Sequence, residues 1–433
     1  MAVALIGFAC LLLLCFLAFP LGFSTLLVGL VGFAYVRGWD WHAAVTMMSQ
    51  QIVDTGANYG LSVIPLFLLM GVFIHRANIS EDLFDASYAL LGRYRGGLAQ
   101  STVLACAGFA AVSGSSLATA ATMTKVAMPH MRRYHYDDSL SSGVVAAGGT
   151  LGIMIPPSVP LVIYGLVAEQ DIGKLFIAGV GPGILLVALY LLAVLAVIWL
   201  RPSAGPAGEP VARAERYRRY RNVWPVLALF VLVLGGIYFG VFTPTEASGI
   251  GATGAAAFAW WRGRLRTFDQ LYASLLEACR TTAALFIVIF GAQVFSNFIN
   301  LSGLPGALLD MVDSMQLSAI GTVFAVCVIC IILGMIFEAI GILLLIVPVF
   351  LPTLIVMDVN LIWFGIVMVV VVELGLITPP IGMNVFTVRT MMPDLRLSRI
   401  FRGVMPFVIA DLIALALLFG FPAIALGLVN IKW

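Results

Sequence analysis

The chain has 433 residues, of which 62% are hydrophobic and only 10% charged, and its net charge is +2. Soluble domains carry about 25% charged residues, so this composition excludes a soluble enzyme and predicts an integral membrane protein. The small net charge gives no indication of nucleic-acid binding, and no GxxxxGK[ST] phosphate-binding motif is present. The apolar runs reach the roughly 20 residues that a helical span needs, which predicts an all-α fold in the lipid bilayer.

Residues 1–97 are predicted to form scaffold helices followed by an amphipathic arm helix. The first apolar run lacks a basic region and a small-residue cleavage site, so we interpret it as a retained membrane segment. Around Pro20 the pattern is compatible with one bent helix or with two. The segment from Ile79 to Arg95 alternates acidic, apolar and basic residues, which is typical of a helix in the membrane interface, with a solvated loop as the alternative.

Residues 98–174 are predicted to form a first transport repeat, which begins with an apolar run that has arginines on both sides. Because arginine-rich ends mark the cytoplasmic side, this run is predicted to enter the membrane and return as a re-entrant hairpin. Its centre, SGSSLATAAT from Ser113 to Thr122, supplies hydroxyls and unwound carbonyls, the oxygen ligands that a hard cation such as Na⁺ needs. Close helix packing is the alternative role of these small residues.

A double proline, Pro156-Pro157, interrupts the next apolar run in the sequence GGTLGIMIPPSVP. Each proline lacks a backbone donor, and the residue before a proline is biased away from the α conformation, so this span is predicted to be a broken helix. In hydrocarbon, broken backbone is tolerated only where protein or a water-filled cavity satisfies its polar groups. Gly149 and Gly152 favour unwinding before the break, and Ser158 adds a hydrogen-bonding group after it.

Residues 175–280 are predicted to form further scaffold helices around an arginine-rich cytoplasmic loop at residues 201–221. Arg262, Arg264 and Arg266 form a second basic cluster, and two spans between the clusters return the chain to the same side. Residues 268–279 have a weaker amphipathic pattern, which predicts a second interfacial arm helix.

Residues 281–388 are predicted to repeat this plan in the opposite orientation. The apolar run from Leu317 to Val356 is flanked by aspartates and has no basic residue, so it is predicted to be a hairpin that enters from outside. Within it, Glu338 is a carboxylate at membrane depth, which we predict to neutralise a cation, carry a proton or pair with a buried donor. Pro379-Pro380 breaks the following span, and Glu373 before it is predicted either to act in transport or to brace the unwound turn.

Two hairpins and two proline-broken helices in opposite orientations predict an inverted-repeat transporter, in which half-helix ends bind substrate and ions near the midplane. Residues 389–433 are predicted to complete the chain as a cytoplasmic loop and a last helix. An ATP-driven importer subunit is one alternative, although it would not need two polar hairpins. A membrane protease is another, but its facing aspartates or serine–histidine pair are not found at membrane depth.

Six local sequences resemble, in order along the whole chain, the large membrane subunit of tripartite ATP-independent periplasmic (TRAP) transporters. They are IPLFLLMG from Ile64, RYRGGLA from Arg93, FAAVSGSSLATAAT from Phe109, GGTLGIMIPPSVPLVIYG from Gly148, FTPTEA from Phe242 and ELGLITPPIGMNVF from Glu373. The resemblance implies a multi-pass protein of the bacterial inner membrane that couples Na⁺ to uptake of an organic acid anion by an elevator mechanism. It also implies two partners, a small membrane subunit and a periplasmic solute-binding protein. A stand-alone Na⁺- or H⁺-coupled anion carrier is the alternative.

The resemblance further implies where Na⁺ and the substrate bind. Na⁺ is expected at Ser113, Gly114, Ser115 and Ser116 with Gly149, Gly152 and Pro156, and at Gly334, Glu338 and Gly341 with Thr378, Pro379 and Gly382. The substrate is expected near Thr119, Pro157, Ser158, Glu338, Pro380 and Asn384. The family's second hairpin usually has an aspartate and then a proline where this chain has Glu338 and Ala339, so Glu338 keeps the carboxylate on a longer side chain. C4-dicarboxylates, sialic acid and sugar acids are all compatible with this sequence.

Overall fold

The computed structural model describes residues 2–431, in which helices are the dominant element. The first part contains α1 (Ala2–Phe16), α2 (Leu21–Val36), α3 (Trp41–Gly56), α4 (Val63–Arg76), α5 (Ile79–Leu91), α6 (Gly97–Ser113), α7 (Ser116–Arg133), α8 (Asp138–Met154), α9 (Val159–Val167) and α10 (Ile172–Leu200). The second part contains α11 (Arg213–Tyr238), α12 (Pro244–Trp261), α13 (Phe268–Leu301), α14 (Leu304–Ser314), α15 (Ala319–Gly334), α16 (Ala339–Val356), α17 (Leu361–Ile377), α18 (Met383–Met391), α19 (Leu397–Gly420) and α20 (Ala423–Leu426).

Six helices in the described part of the chain are long and apolar enough to span a membrane. A seventh span results if α8 and α9, which bend by 42° at their break, are counted as one. Shorter apolar helices, among them α6, α15 and α17, belong to the hairpins and broken helices. The protein is therefore an all-helical, multi-span membrane protein.

The same order of elements occurs twice along the chain. In each case a first helix (α4 or α13) is followed by a surface helix (α5 or α14), a helical hairpin (α6–α7 or α15–α16), a broken helix (α8–α9 or α17–α18) and a long helix (α10 or α19). Both surface helices begin after a residue in the left-handed conformation, Asn78 with φ 58° and Gly303 with φ 74°. This order adds α4, α5 and α10 to the first predicted repeat and adds the start of α13 and α19 to the second.

Two groups of helices pack closely within themselves. In one, α2 lies against α13 and α4 against α12. The contact between α2 and α13 is close, because a methyl group added to Gly29 would lie 2.7 Å from the backbone nitrogen of Phe295. In the other, α8 packs against α6, α7, α10 and α19. A methyl group on Gly403 would lie 1.8 Å from the carbonyl oxygen of Ser139, so α8 and α19 cross in backbone contact. The second group contains both broken helices, and the first forms a wall beside it.

One expectation about the scaffold needs correction, one helix was not expected, and one open alternative is resolved. Residues 268–279 are not a separate arm helix but the first turns of α13, because no proline or glycine interrupts the segment between them and the apolar span. The second surface helix is instead α14, which the sequence analysis did not predict. Around Pro20 there are two helices, α1 and α2, rather than one bent helix.

Basic and acidic side chains join helix ends on one face of the molecule, which we call the basic face. Arg262, after α12, forms an ion pair with Asp82 of α5. Arg132 of α7 lies 3.2 Å from Asp138 of α8 and 2.5 Å from Asp394, in the segment before α19. These contacts bring together loops that the charge pattern assigns to the cytoplasmic side.

The loop at residues 201–212 lies against the base of the first hairpin on the same face. The amide of Gly96 donates a hydrogen bond of 2.8 Å to the carbonyl of Gly205, and the amide of Asp137 donates one of 2.9 Å to Ala204. The two ends of the first hairpin and the basic loop are therefore neighbours, as the charge pattern requires.

Candidate functional site

The tip of the first hairpin is a short turn whose oxygen atoms are grouped. Gly114 adopts φ +59°, a conformation that favours glycine, and Ser115 caps the N-terminus of α7 by accepting a bond from the amide of Ala118. The hydroxyl of Thr119 donates to the carbonyl of Ser115 at 2.8 Å and lies 2.6 Å from the hydroxyl of Ser113. Two hydroxyls and one carbonyl thus lie together at this tip.

The first helix break faces this tip. A methyl group on Gly114 would lie 3.3 Å from the carbonyl oxygen of Pro157, and one on Gly152 would lie 2.8 Å from that of Ser115. Gly149 makes the same close approach to Ala120, so both predicted glycines of α8 let hairpin and broken helix touch. Ser158 is fully buried, where it caps α9 and donates to the carbonyl of Ile153.

The second helix break is more open to solvent than the first. Pro379 and Pro380 are exposed, whereas Pro156 and Pro157 are buried, and both proline pairs have a cis peptide bond. Thr378 ends α17 and its hydroxyl donates to the carbonyl of Leu374 at 2.5 Å.

The second hairpin is held to this break by backbone contacts. Gly382, at φ +60°, donates its amide to the carbonyl of Met335 at 3.3 Å. Gly334 at the end of α15 meets Gly375 of α17, where an added methyl group would lie 2.7 Å from the Gly334 Cα atom. Any side chain at this crossing would separate the hairpin from the broken helix.

A cavity of about 110 Å³, which we call the central cavity, lies between the two hairpin tips. Its lining includes Ser115 and Ser116 of the first tip and Glu338 and Ala339 of the second. Val159, just after the first break, and Leu68, Thr281 and Leu285 from α4 and α13 complete this part of the wall. The cavity is therefore bounded by both hairpins, one broken helix and the neighbouring scaffold.

Three helices begin at the central cavity. They are α7 after Ser115, α9 after Ser158 and α16 after Glu338. The free amides and the dipole of a helix N-terminus favour negative charge. Glu338 itself is exposed, caps α16 only through its backbone and makes no side-chain capping bond. The site thus combines amide ends suited to an anion with a carboxylate suited to a cation.

The predicted Na⁺ residues fall into two groups in the structure. Ser113, Gly114, Ser115, Ser116, Gly149, Gly152 and Pro156 lie together at the first tip and break, and Gly334, Thr378, Pro379 and Gly382 lie together at the second. Two residues lie apart from the second group. Gly341 packs α16 against Leu21 of the scaffold, and Glu338 lines the central cavity with the first hairpin tip.

The predicted substrate residues are more dispersed. Thr119 and Ser158 are buried and bonded to nearby backbone, whereas Glu338 and Pro380 are exposed. Asn384 is buried in α18 and donates to the carbonyl of Ala146 in α8 at 3.1 Å, so it joins the two halves. Thr281 of α13 lines the cavity without having been predicted; a hydroxyl at the start of an apolar span was its one signal.

The two halves contact each other reciprocally. Helix α9, after the first break, packs against α16 of the second hairpin, and α18, after the second break, packs against α7 of the first. Each half therefore provides a wall for the site of the other.

Comparisons with known proteins agree with this architecture. Residues 8–424 match the family model described as "Tripartite ATP-independent periplasmic transporter, DctM component". The C4-dicarboxylate TRAP transporter large permease protein DctM of Pseudomonas aeruginosa is 36% identical over 387 residues, which are 89% of this chain and 90% of that protein. The isethionate TRAP transporter permease protein DctMQ of Oleidesulfovibrio alaskensis is 32% identical, over 85% of this chain and 58% of its own length.

The fold also has a solved counterpart. The crystal structure of the Alcanivorax borkumensis YdaH transporter superposes with a TM-score of 0.63, covering 89% of this chain and 90% of that one. At 15% sequence identity, this likeness shows the fold alone.

Proposed function

Because the chain belongs to the DctM family, the large permease component of tripartite ATP-independent periplasmic transporters, we propose that it imports an organic acid anion with Na⁺. It is a multi-pass protein of the bacterial inner membrane, and it is a transport permease rather than an enzyme. The proposal concerns the coupling ion, the chemical class of the substrate and the movement.

The observation that carries the proposal is the composition of the central cavity. The N-termini of α7, α9 and α16 offer partial positive charge to an anion, and Glu338 offers a full negative charge to a cation. With Glu338 ionised and no cation bound, an anion would be repelled. Binding Na⁺ near Glu338 removes this repulsion, so the cation prepares the site for the substrate.

Na⁺ ligands are available at both hairpin tips. At the first, the hydroxyls of Ser113 and Thr119 and the carbonyl of Ser115 lie within 3.3 Å of one another. At the second, the carbonyl of Met335 and the hydroxyl of Thr378 flank the unwound backbone before Gly382. Hard cations bind such neutral and charged oxygens. The two groups support two Na⁺ positions, and Glu338 faces the first of them across the central cavity.

An elevator movement is supported by the two packing groups. We assign both hairpins and both broken helices to the moving block, and we add α10 and α19 because they pack against α8 and α17. Helices α2, α4, α12 and α13 form the fixed wall, along which the hairpin tips exchange sides. Inverted repeats with binding at their interface are the general design of such carriers.

The partners follow from the family and from the length of one relative. This chain spans 58% of the DctMQ protein, whose name joins M with Q, so we propose that a separate small membrane subunit supplies what that relative carries in one chain. A periplasmic solute-binding protein is the third proposed component. A stand-alone carrier of the same fold is the competing function.

Reconstitution tests these proposals. Purified permease, small subunit and binding protein are placed in liposomes with an imposed Na⁺ gradient, and uptake of C4-dicarboxylates is measured first, because the Pseudomonas relative is named for them. We expect uptake only with an inward Na⁺ gradient and with the loaded binding protein. Uptake without the binding protein supports the stand-alone carrier, and uptake that needs no Na⁺ contradicts the coupling.

A further inference from the structure

Four polar side chains meet in the interior of the bundle, outside the lining of the central cavity. Thr150 of α8, Tyr190 of α10, Glu373 of α17 and Asp411 of α19 are all fully buried. The hydroxyl of Tyr190 donates a 2.8 Å hydrogen bond to Asp411 Oδ1 and lies 3.1 Å from Thr150 Oγ1. Glu373 lies within electrostatic reach of Asp411 and Tyr190. We call these residues the acidic cluster.

Three carboxylate oxygens of the acidic cluster have no hydrogen-bond partner among the described residues. They are both oxygens of Glu373 and Oδ2 of Asp411. Buried carboxylate oxygens are normally hydrogen-bonded or paired with a cation, so these oxygens indicate a missing ligand.

No basic side chain of the described residues pairs with the acidic cluster. The other charged residues of α8, α10, α17 and α19 lie near helix ends and are Asp138, Lys174, Arg399 and Arg402. Along α19, Arg402 is nine residues from Asp411, about 13 Å at the helical rise.

The helices packed around these four add few titratable groups at the level of the cluster. On them, the titratable side chains are Cys106 of α6, Lys125, His130, Arg132 and Arg133 of α7, Tyr164 of α9, Cys327 and Cys330 of α15, and Arg389 of α18, with Glu338 at the start of α16. Helix α11, which packs against α10, carries Arg213, Glu215, Arg216, Tyr217, Arg218, Arg219, Tyr220 and Arg221 in its first turns and Tyr238 at its end. Lys125 is exposed, Arg132 pairs with Asp138 and Asp394, and Arg389 binds backbone carbonyls beyond α18. Within residues 2–431, therefore, no side chain supplies a counter-charge to the acidic cluster.

We propose that Glu373 and Asp411 form a proton-binding site that holds at least one proton in the interior of the helical block. Two buried carboxylates within electrostatic reach of each other and without a counter-charge cannot both stay ionised, and a proton on either one removes a charge that is otherwise unpaired. Its role in lowering the negative charge that the block carries across the membrane rests on the proposed function, whereas the site itself does not.

A proton fits this position better than Na⁺. A proton needs no cavity, whereas Na⁺ needs a shell of several oxygen ligands. The hydroxyl of Thr150 already donates to the carbonyl of Ala147 at 2.7 Å, and that of Tyr190 donates to Asp411. None of the four side chains lines the central cavity. Because the cluster is sealed, its proton stays bound through the transport cycle and differs from an exchanged coupling ion.

Infrared spectroscopy on the purified, folded permease tests the site without any transport measurement. At neutral pH we expect a C=O stretch from a protonated carboxyl group that shifts when Glu and Asp carry ¹³C in their carboxyl groups. The band should be unchanged by Na⁺. It should be lost or shifted in Glu373→Gln and Asp411→Asn, and unchanged in the control Glu209→Gln, whose side chain is in an exposed loop. The isotope shift uses wild-type protein, so the test stands even if a variant fails to fold.

Thermal unfolding gives a second readout. Both carboxyls are ionised in the unfolded chain at neutral pH, so folding takes up a proton and the unfolding midpoint of the wild type should fall as pH rises. The double variant E373Q/D411N should lose most of this dependence and keep uptake within about twofold, because amides imitate the protonated form. Absence of a protonated band in the wild type, or a band removed by Na⁺, overturns the proposal.

Discussion

Gly375→Ala tests whether the second hairpin must touch the broken helix. A methyl group at this position would lie 2.7 Å from Gly334 Cα and 2.9 Å from its carbonyl carbon, and both are backbone atoms that no rotamer change can move. Ordinary van der Waals contact begins at 3.4 Å, so the Gly334 Cα atom at the end of α15 must move about 0.7 Å away from the added methyl group, which would otherwise lie at 2.7 Å. That movement is transmitted directly to Met335 and Glu338, which follow α15 in the tip.

The expected cost comes from two opposing terms. Overpacking costs about 1–3 kcal/mol, and replacing a helical glycine by alanine returns up to about 1 kcal/mol. Gly249→Ala in α12 is the matched control, because nothing lies within 4 Å of its added methyl group. Gly375→Ala should therefore be about 1–3 kcal/mol less stable than Gly249→Ala. Sites that bind ions require positions accurate to about 0.5 Å, so we expect the Na⁺ concentration for half-maximal uptake to rise about threefold or more.

The assay compares both variants in thermal unfolding of the purified protein and in Na⁺ titration of uptake by the reconstituted complex. Equal unfolding midpoints and equal Na⁺ titrations for Gly375→Ala and Gly249→Ala would refute the reasoning. A loss of stability without any change in Na⁺ dependence would separate packing from ion binding and remove this crossing from the site.

Three further predictions concern the cavity, the first tip and the basic face. Glu338→Gln should raise the Na⁺ concentration for half-maximal uptake about tenfold or more, since a charge-assisted ligand is lost, while Glu338→Asp should keep part of the function. The exposed control Asp310→Asn should leave the Na⁺ titration unchanged. An unchanged titration for Glu338→Gln would contradict the role of Glu338 in Na⁺ binding. Ser113→Ala and Thr119→Val should each raise the Na⁺ concentration for half-maximal uptake more than Ser115→Ala does. The reason is that Ser115 contributes its carbonyl to the tip, whereas its hydroxyl caps α7. A larger rise for Ser115→Ala than for the other two variants would favour a side-chain ligand at Ser115. Burial and the hydrogen bond with Tyr134 raise the pKa of Tyr88 to about 12 from 10.0, so the contribution of Tyr88 to stability is present below pH 10 and lost as pH rises toward 12. Tyr88→Phe should therefore lower the unfolding midpoint at pH 8, and the difference from the wild type should shrink between pH 10 and pH 12. Equal midpoints at pH 8 would show that the hydrogen bond between Tyr88 and Glu209 contributes nothing to stability.

Local backbone chemistry made the helix breaks predictable. A proline pair in an apolar run cannot continue a helix, and α8 and α17 indeed end just before their prolines, at Met154 and Ile377. The turn at Gly114 was predictable for a similar reason, because small residues interrupt the apolar pattern there.

Positions that depend on contacts between the halves were not predictable in the same way. Glu338 was assigned with the second break, but the packing of α16 on α9 places it at a cavity shared with the first tip. The length of α13 was also not predictable, because no proline or glycine separates residues 268–279, predicted to be an arm helix, from the apolar span that follows. Asp411 was missed although it carried the same signal as Glu338, a single carboxylate in an apolar helix.

The reciprocal contact between the halves has a consequence for biosynthesis. Asn384 binds the carbonyl of Ala146, and these residues are separated by 238 positions in the chain. At about 5–20 residues per second of synthesis, the first half waits roughly 10–50 s in the membrane before its partner helix exists. During this interval the surfaces of α7 and α8 that α18 later covers are open to lipid or to a chaperone. The order of translation thus leaves the N-terminal half as the vulnerable intermediate, and stalled ribosomes or truncated chains ending before residue 383 would display that unsealed surface.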